Sequence, residues 1–445
     1  MLNLLKLAAI SCLVVWPSCA GAQGQTGEAD TRSAATAIIN ATILTAASPR
    51  IENGTILFED GKIVAIGSAV DVPANAAVID GEGRWVTPGL IDPHSHIGVF
   101  PTPLLPTTMD LNEKSGTNTA QVSAEDAIWP QDPGFEMARA GGVTSLAILP
   151  GSANLIGGRG VTVHNIESVT ASEMLLPDAP EFLKMACGEN PMKVYGGAGK
   201  APVTRMGVVA EFRQAWADAT QYRRQRDEAM KAGKPAPADL QMETMAGVLD
   251  GDIIPVFHCY RADEMEQMIE VSHEFGFQIG AFHHATEAYK IADLLRDEDI
   301  AVATWARRWG FKMEAYDAVP AAAAMLEEDG VTVSLHSDNA LLIQRLNIEA
   351  AMALASAKDA GLDYDYETAI KWITSRPAEM MGIDDRTGTL EPGKLADVVV
   401  WSGDPFSVYS HADLVYIDGA LVYEREKDEG SVESDFLTGQ TGAGE

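Results

Sequence analysis

Between residues 87 and 338 eight short apolar runs recur: TPGLIDPH, GVTSLAIL, GVTVHN, FLKMACG, IIPVFHC, FQIGAFHH, IAVATW and VTVSLHSD. Between most of them lie amphipathic stretches such as DEMEQMIEVSHEFG and ATEAYKIADLLRDE. Short buried-strand patterns alternating with helical ones call for parallel strands joined by helical crossovers. Eight such units within roughly three hundred residues predict an α/β fold, a (β/α)8 TIM barrel over residues 87–385. A doubly wound open sheet is the alternative, but it gives no reason for the placement of the histidines.

Both ends of the chain read as β. AIINATILT is followed by GTILFEDGKIVAIGS, with a hairpin signal at Glu59-Asp60-Gly61-Lys62. Near the other end, GTLEPGKLADVVVWSGDP precedes LVYIDGALVYE, which turns at Asp418-Gly419. These two parts, residues 36–86 and 386–425, predict a small β-sandwich domain into which the barrel is inserted. Residues 426–445 are acidic and Gly-rich without periodicity, and read as a disordered tail.

The first residues, MLNLLKLAAISCLVVWPSCAGAQG, carry one lysine, an apolar run and the small residues Ala20-Gly21-Ala22. That is the pattern of a signal peptide over residues 1–22, and the run is short for a stable membrane-spanning helix. Export, to a periplasm, is expected. A lipid on Cys19 is the weaker reading, because Trp16-Pro17-Ser18 is a poor approach to a lipid-modified cysteine. Beyond that segment only Cys187 and Cys259 remain; a disulfide between them and two buried free thiols both stay open.

Acidic residues number 64 against 32 basic ones, a formal charge of -32. Nucleic acid and anionic membranes recruit basic patches, so this balance points away from both and toward a small-molecule substrate. The oligomeric state, a homo-oligomer included, stays open. Two connections are much longer than the usual few residues. One follows the first run, and one follows the fourth and contains EFRQAWADATQYRRQRDEAMKAG. Both leave from carboxyl ends of strands, where barrel chemistry resides. They read as a lid or, for the charged helix, as a surface insertion.

Six of the nine histidines lie at the carboxyl ends of the apolar runs. His94 and His96 close the first, His258 the fifth, His283 and His284 the sixth, and His336 precedes Asp338 at the eighth. Strand side chains alternate faces, so His94 shares a face with His96, His258 with Tyr260, and His336 with Asp338. Converging imidazoles and a carboxylate suit a borderline cation such as Zn²⁺. The plainer readings are a polar rim for the HSH pair, an Asx turn for Asp338 and a hydrogen-bonded structural role for His258. His164, His273 and His411 fall outside this pattern and read as structural.

TPGLIDPHSH, together with the split β region, resembles the amidohydrolase superfamily, in its imidazolonepropionase-like and prolidase-like branch. The resemblance runs from about Ile38 to Glu424. The family places HxH on strand 1, a lysine or glutamate on strand 4, one histidine each on strands 5 and 6, and an aspartate on strand 8. Matched residue by residue, these fall on His94 and His96, Lys184 in FLKMACG, His258 in VFHCY, His284 in FHHATEAYK and Asp338 in LHSDNA. Alternation lets one of His283 and His284 face inward; the match selects His284 and leaves His283 packed behind. The resemblance implies one or two divalent metal ions, zinc being the leading choice. It further implies a Lys184 carbamylated by CO₂ to bridge them. Glu189 as the bridging carboxylate and a structural Lys184 in a mononuclear site are the competing readings.

The implied activity is metal-dependent hydrolysis of an amide or peptide-like C–N bond, by water made acidic at the cation. Asp338 would carry the proton to the leaving nitrogen. Tyr260 would donate to the developing oxyanion, or else pack at the rim. His336 is a candidate substrate contact. Arg205 and Arg261 are candidates for pairing with a carboxylate, in which case the substrate is a dipeptide or an N-acyl amino acid; each is equally able to hold a loop to an acidic residue. Hydrolysis of a cyclic amide or lactone is the nearest alternative. A non-catalytic binding protein on the same fold is the more distant one.

Overall fold

In the computed structural model, which describes residues 35–428, eight strands follow one another in chain order around a nearly closed sheet. They are β1 (Leu90–Ser95), β2 (Val143–Ile148), β3 (Ile156–His164) and β4 (Glu181–Ala186). The second half comprises β5 (Ile253–Cys259), β6 (Ala281–His284), β7 (Ala301–Thr304) and β8 (Val333–Leu335). The eight apolar runs are thus the eight strands of one barrel-like sheet. The signal-like segment and Cys19 lie outside the described residues, as does most of the expected tail. Residues 426–428 of that tail instead continue a short helix, Arg425–Asp428. No described helix is long and apolar enough to cross a membrane.

The barrel departs from an all-parallel arrangement at β3, which runs antiparallel to both β2 and β4. Only residues 149–155 separate β2 from β3. A parallel return needs a crossover of about a dozen residues or more, whereas a short link turns the chain back on itself. Strand β3 therefore starts at the mouth of the barrel and ends at its base with His164.

Alternation along the strands builds the interior. Phe182, Val256, Ala281 and Ala301 form one apolar cluster with Met380 and Met381. Burial of a large apolar side chain such as Phe182 contributes roughly 1.5–3 kcal/mol, which helps offset the polar layer above it. Two residues further along β4, β5 and β6, the same faces carry Lys184, His258 and His283.

Both ends of the chain contribute to a second eight-stranded sheet. Its order is Ala420–Glu424, Ala412–Ile417, Val398–Trp401, Trp85–Pro88, Thr36–Ile43, Ile51–Glu59 and Lys62–Gly67, with Ala77–Asp80 also pairing on Thr36–Ile43. The two hairpin turns sit where expected. Asp60 and Gly61 have φ of 50° and 78°, and Asp418 and Gly419 have 49° and 71°. Positive φ at both central residues matches the twist of a two-residue hairpin, and Asp-Gly tolerates it.

The insertion after β4 forms helices Glu189–Gly196, Arg205–Lys231 and Leu240–Asp250. The long charged helix is not a lid. Val208, Phe212, Trp216, Ala219 and Tyr222 recur every three or four residues and are buried, and the Trp216 ring packs 4.2 Å from that of Phe277. Its charged residues are the solvent side of an outer-layer helix. Cys187 and Cys259, left open by the sequence, are joined in a disulfide between the ends of β4 and β5.

Candidate metal centre

Five of the eight strands deliver side chains to one point at the barrel's carboxyl mouth. On β1, the pairing register with β2 is irregular between Asp92 and Ser95. The Asp92 carboxylate accepts the His94 amide at 3.1 Å, fixing the backbone from which the HSH pair projects. His94 and His96 meet at their Nε2 atoms, 3.3 Å apart. Asp338, just past β8, lies 3.4 Å from the first of these atoms and 3.1 Å from the second. The Nδ1 of His96 is occupied by the Leu149 carbonyl at 2.7 Å, which turns its Nε2 to the centre.

Lys184 is fully buried on β4, its Nζ 3.2 Å from both His94 Nε2 and the Pro150 carbonyl. From β5, the His258 ring lies 4.4 Å from that of His284 and 5.0 Å from that of Tyr260. On β6 the alternation favours His283, whose Nδ1 is 2.7 Å from His94 Nδ1. His284 reaches the same space by a different route. Its φ of 71° and the 40° of Ala285 turn the strand end over, setting the His284 ring 4.9 Å from His94. The expectation that His283 packs behind its neighbour is therefore corrected: both rings meet His94. Left-handed conformations at non-glycine residues cost of order 1–3 kcal/mol and gather at functional sites; Asp338, with φ 53°, is another.

His336, expected to touch substrate, is fully buried and stacked 5.0 Å from His94. One nitrogen each from His94, His284 and His336 lie within 4.8 Å of one another, as do donor atoms of His94, His96 and Asp338. Sequence reasoning did not bring the rings of His336 or His283 against His94, where both lie. It also missed Asp92, although that residue stands within the LIDPHSH run itself.

The electrostatics suit a cation. Burial, reinforced by neighbouring positive charge, holds His94, His258, His283, His284 and His336 well below the usual imidazole range. These rings are neutral, the form in which imidazole ligates a metal. Both ring nitrogens of His258 and of His336 are buried without a hydrogen-bond partner, as are His284 Nδ1 and His283 Nε2. A buried polar atom left unpaired costs about 1–3 kcal/mol, so this many orphaned donors in one place fit a bound divalent ion. Burial also lowers the Lys184 amine to about 7 and raises the Tyr260 phenol.

Other expected residues are engaged elsewhere. Arg205 donates through Nε to Glu264 and through Nη2 to Glu314 at 2.8 Å. Arg261 forms a two-pronged pair with Asp263 at 2.8 and 2.7 Å. Both guanidinium groups therefore serve protein carboxylates, the loop-holding alternative. Glu189 pairs with Lys193 at 3.0 Å and Lys312 at 3.7 Å. His164, His273 and His411 lie apart from the centre, each beside an acid: Asp418 at 3.2 Å, Glu298 at 2.7 Å and Asp413 at 3.3 Å.

The fold and the donor set define a barrel protein with a metal-binding constellation at the carboxyl ends of its strands. Comparison with known proteins agrees. A profile described as the amidohydrolase family matches residues 281–423. A solved amidohydrolase from Thermotoga maritima is 36% identical, superposes with a TM-score of 0.82, and covers 88% of this chain and 100% of its own. An amidohydrolase of Hapsidospora irregularis is 36% identical over 397 residues, 83% of this chain, although the chain spans only 40% of that protein's length. An imidazolonepropionase of Mesorhizobium japonicum is 25% identical over 408 residues, 82% of this chain and 89% of its own length. The chain belongs to the amidohydrolase family, a family of hydrolases acting on carbon–nitrogen bonds.

Proposed function

We propose that this protein is a metal-dependent amidohydrolase that cleaves an amide or peptide-like C–N bond of a small substrate such as a dipeptide or an N-acyl amino acid. The observation that carries the reading is the set of neutral, orphaned imidazoles around Asp338. One or two divalent ions, zinc foremost, held by His94, His96, His258, His284 and Asp338 would supply Lewis acidity and an acidified water.

The chain's own groups divide the remaining work. Asp338, with 30% of its side chain exposed, faces both the donor cluster and the open mouth. Its carboxylate takes the proton from the attacking water and returns it to the departing nitrogen. The Tyr260 hydroxyl makes no hydrogen bond with a described residue, and its raised pKa keeps it protonated. It is available to donate to the oxyanion as the carbonyl becomes tetrahedral. Lys184 is proposed to be carbamylated, which would give it carboxylate-like oxygens to offer a metal: its Nζ attacks the carbon of CO₂, an N–C bond forms and one proton leaves. Burial favours the neutral amine that this addition requires.

The test is a screen of dipeptides and N-acyl amino acids with the protein supplied with Zn²⁺ and bicarbonate, reading release of the free amine. Turnover that disappears on chelation and returns with metal is the expected result. Metal-loaded protein that cleaves no C–N bond across such a panel would overturn the reading.

A further inference from the structure

With Arg205 and Arg261 engaged by protein carboxylates, the mouth needs another group if a substrate carboxylate is to be recognised. The loop after β7, WARRWGFKMEAY, carries three further cations, the exposed Arg307 and the partly buried Arg308 and Lys312. Lys312 stands 3.7 Å from the centre of the Tyr260 ring, but Glu314 at 3.2 Å and Glu189 at 3.7 Å neutralise it. Arg308 differs. It makes no ion pair with any described residue; its guanidinium instead sits 5.3 Å from the centre of the Trp305 ring. The nearby buried carboxylate of Glu349 accepts the Ala306 amide at 3.3 Å and forms no ion pair with Arg308.

Trp305 connects this arginine to the metal centre. Its ring stacks 4.6 Å from His284 and lies 4.7 Å from His336. Beside it opens a cleft of about 310 Å³, lined by Trp305, Arg308, Trp309, Val319 and Pro320. Pockets of this size, mostly apolar with a few placed polar groups, are typical for small ligands. Phe311, 53% exposed, adds an aromatic face 6.2 Å from Tyr260.

We infer that Arg308 recognises the free carboxylate of the substrate, and that the substrate class is an N-acylated amino acid, dipeptides included, whose bulky apolar side chain lies in the Trp305 cleft. The position of the scissile bond rests on the hydrolytic reading above; the recognition does not. A planar guanidinium held on an indole face is preorganised for a two-pronged carboxylate contact. The aromatic walls favour a large apolar group over a methyl group.

Calorimetry on the Zn²⁺-loaded protein separates recognition from turnover. L-Phenylalanine and L-phenylalaninol differ only in the carboxylate, and neither contains a cleavable amide. A charge-assisted contact predicts L-phenylalanine binding roughly tenfold to a hundredfold more tightly, and more tightly than L-alanine. Arg308→Met should abolish the preference over the alcohol while keeping the melting temperature, and Arg308→Lys should restore part of it. No measurable binding of L-phenylalanine, no preference in the wild type, or a preference that survives Arg308→Met would each overturn the inference. Loss of the preference in a protein that cleaves nothing supports it and removes the hydrolytic reading. Cleavage indifferent to Arg308→Met does the reverse.

Discussion

Ser337 reaches across the seam of the barrel to Asp92, its amide donating at 3.2 Å and its hydroxyl to the other carboxylate oxygen. No ladder joins β1 to β8 among the described residues, so the first and last strands meet here through side chains. The Asp338 amide adds a second tie, to the His94 carbonyl at 3.1 Å. One fully buried carboxylate thus holds the backbone of His94 on one side and of Asp338's neighbour on the other. Closure of the barrel and assembly of the site are the same event.

Asp92→Ala leaves the His94 amide and both Ser337 donors without their partner. Each stranded buried group costs about 1–3 kcal/mol, so the variant should lose on the order of 3 kcal/mol or more by urea denaturation. It should also retain less metal after dialysis. Wild-type stability and metal retention together would show that the seam closes without Asp92.

Asp338→Asn preserves shape and the backbone tie to His94 but removes the proton carrier. The expected outcome is a fall in kcat of roughly 10²–10⁴-fold, with a thermal midpoint close to that of the wild type. Undiminished turnover would remove Asp338 from the mechanism.

At the base of the barrel, burial disfavours a charged His164, but the Asp418 contact at 3.2 Å and the Asp397 charge outweigh it and raise its pKa, with Arg386 opposing. A raised pKa means that the stabilisation is present below the ordinary value of 6.5 and is lost as pH climbs through the higher folded value. The melting gap between wild type and His164→Asn should therefore be widest near about pH 6 and shrink toward about pH 9. A constant gap would show that His164 contributes by packing alone.

The Cys187–Cys259 bond closes a loop between residues 72 apart in sequence. Crosslinks of this kind stabilise by about 2–4 kcal/mol. A thiol reductant should lower the urea midpoint of the wild type accordingly. Cys259→Ser should show the same lowered midpoint and no further response to reductant.

Much of the strand order was legible because period-two apolar runs and Asp-Gly turns are local signals. The HSH pair was legible for the same reason: two imidazoles two residues apart at a strand end share a face. What was hidden depends on distant parts of the chain. The turned-over end of β6 brings both His283 and His284 inward, an outcome that alternation alone forbids. Arg205 is claimed by Glu264 and Glu314, 59 and 109 residues away, so its availability was not readable from its own loop. The direction of β3 is the exception: the ten residues PGSANLIGGR between GVTSLAIL and GVTVHN are already few for a helical crossover and imply an antiparallel return.

Anomalous diffraction from crystals grown with Zn²⁺ tests the metal centre most directly. The expected result is a peak at the barrel mouth about 2.0–2.2 Å from nitrogens of the HSH pair and an oxygen of Asp338, with His258 and His284 completing the surround. A cluster that stays free of anomalous signal under ample Zn²⁺, its imidazoles bonded only to one another or to water, would contradict it.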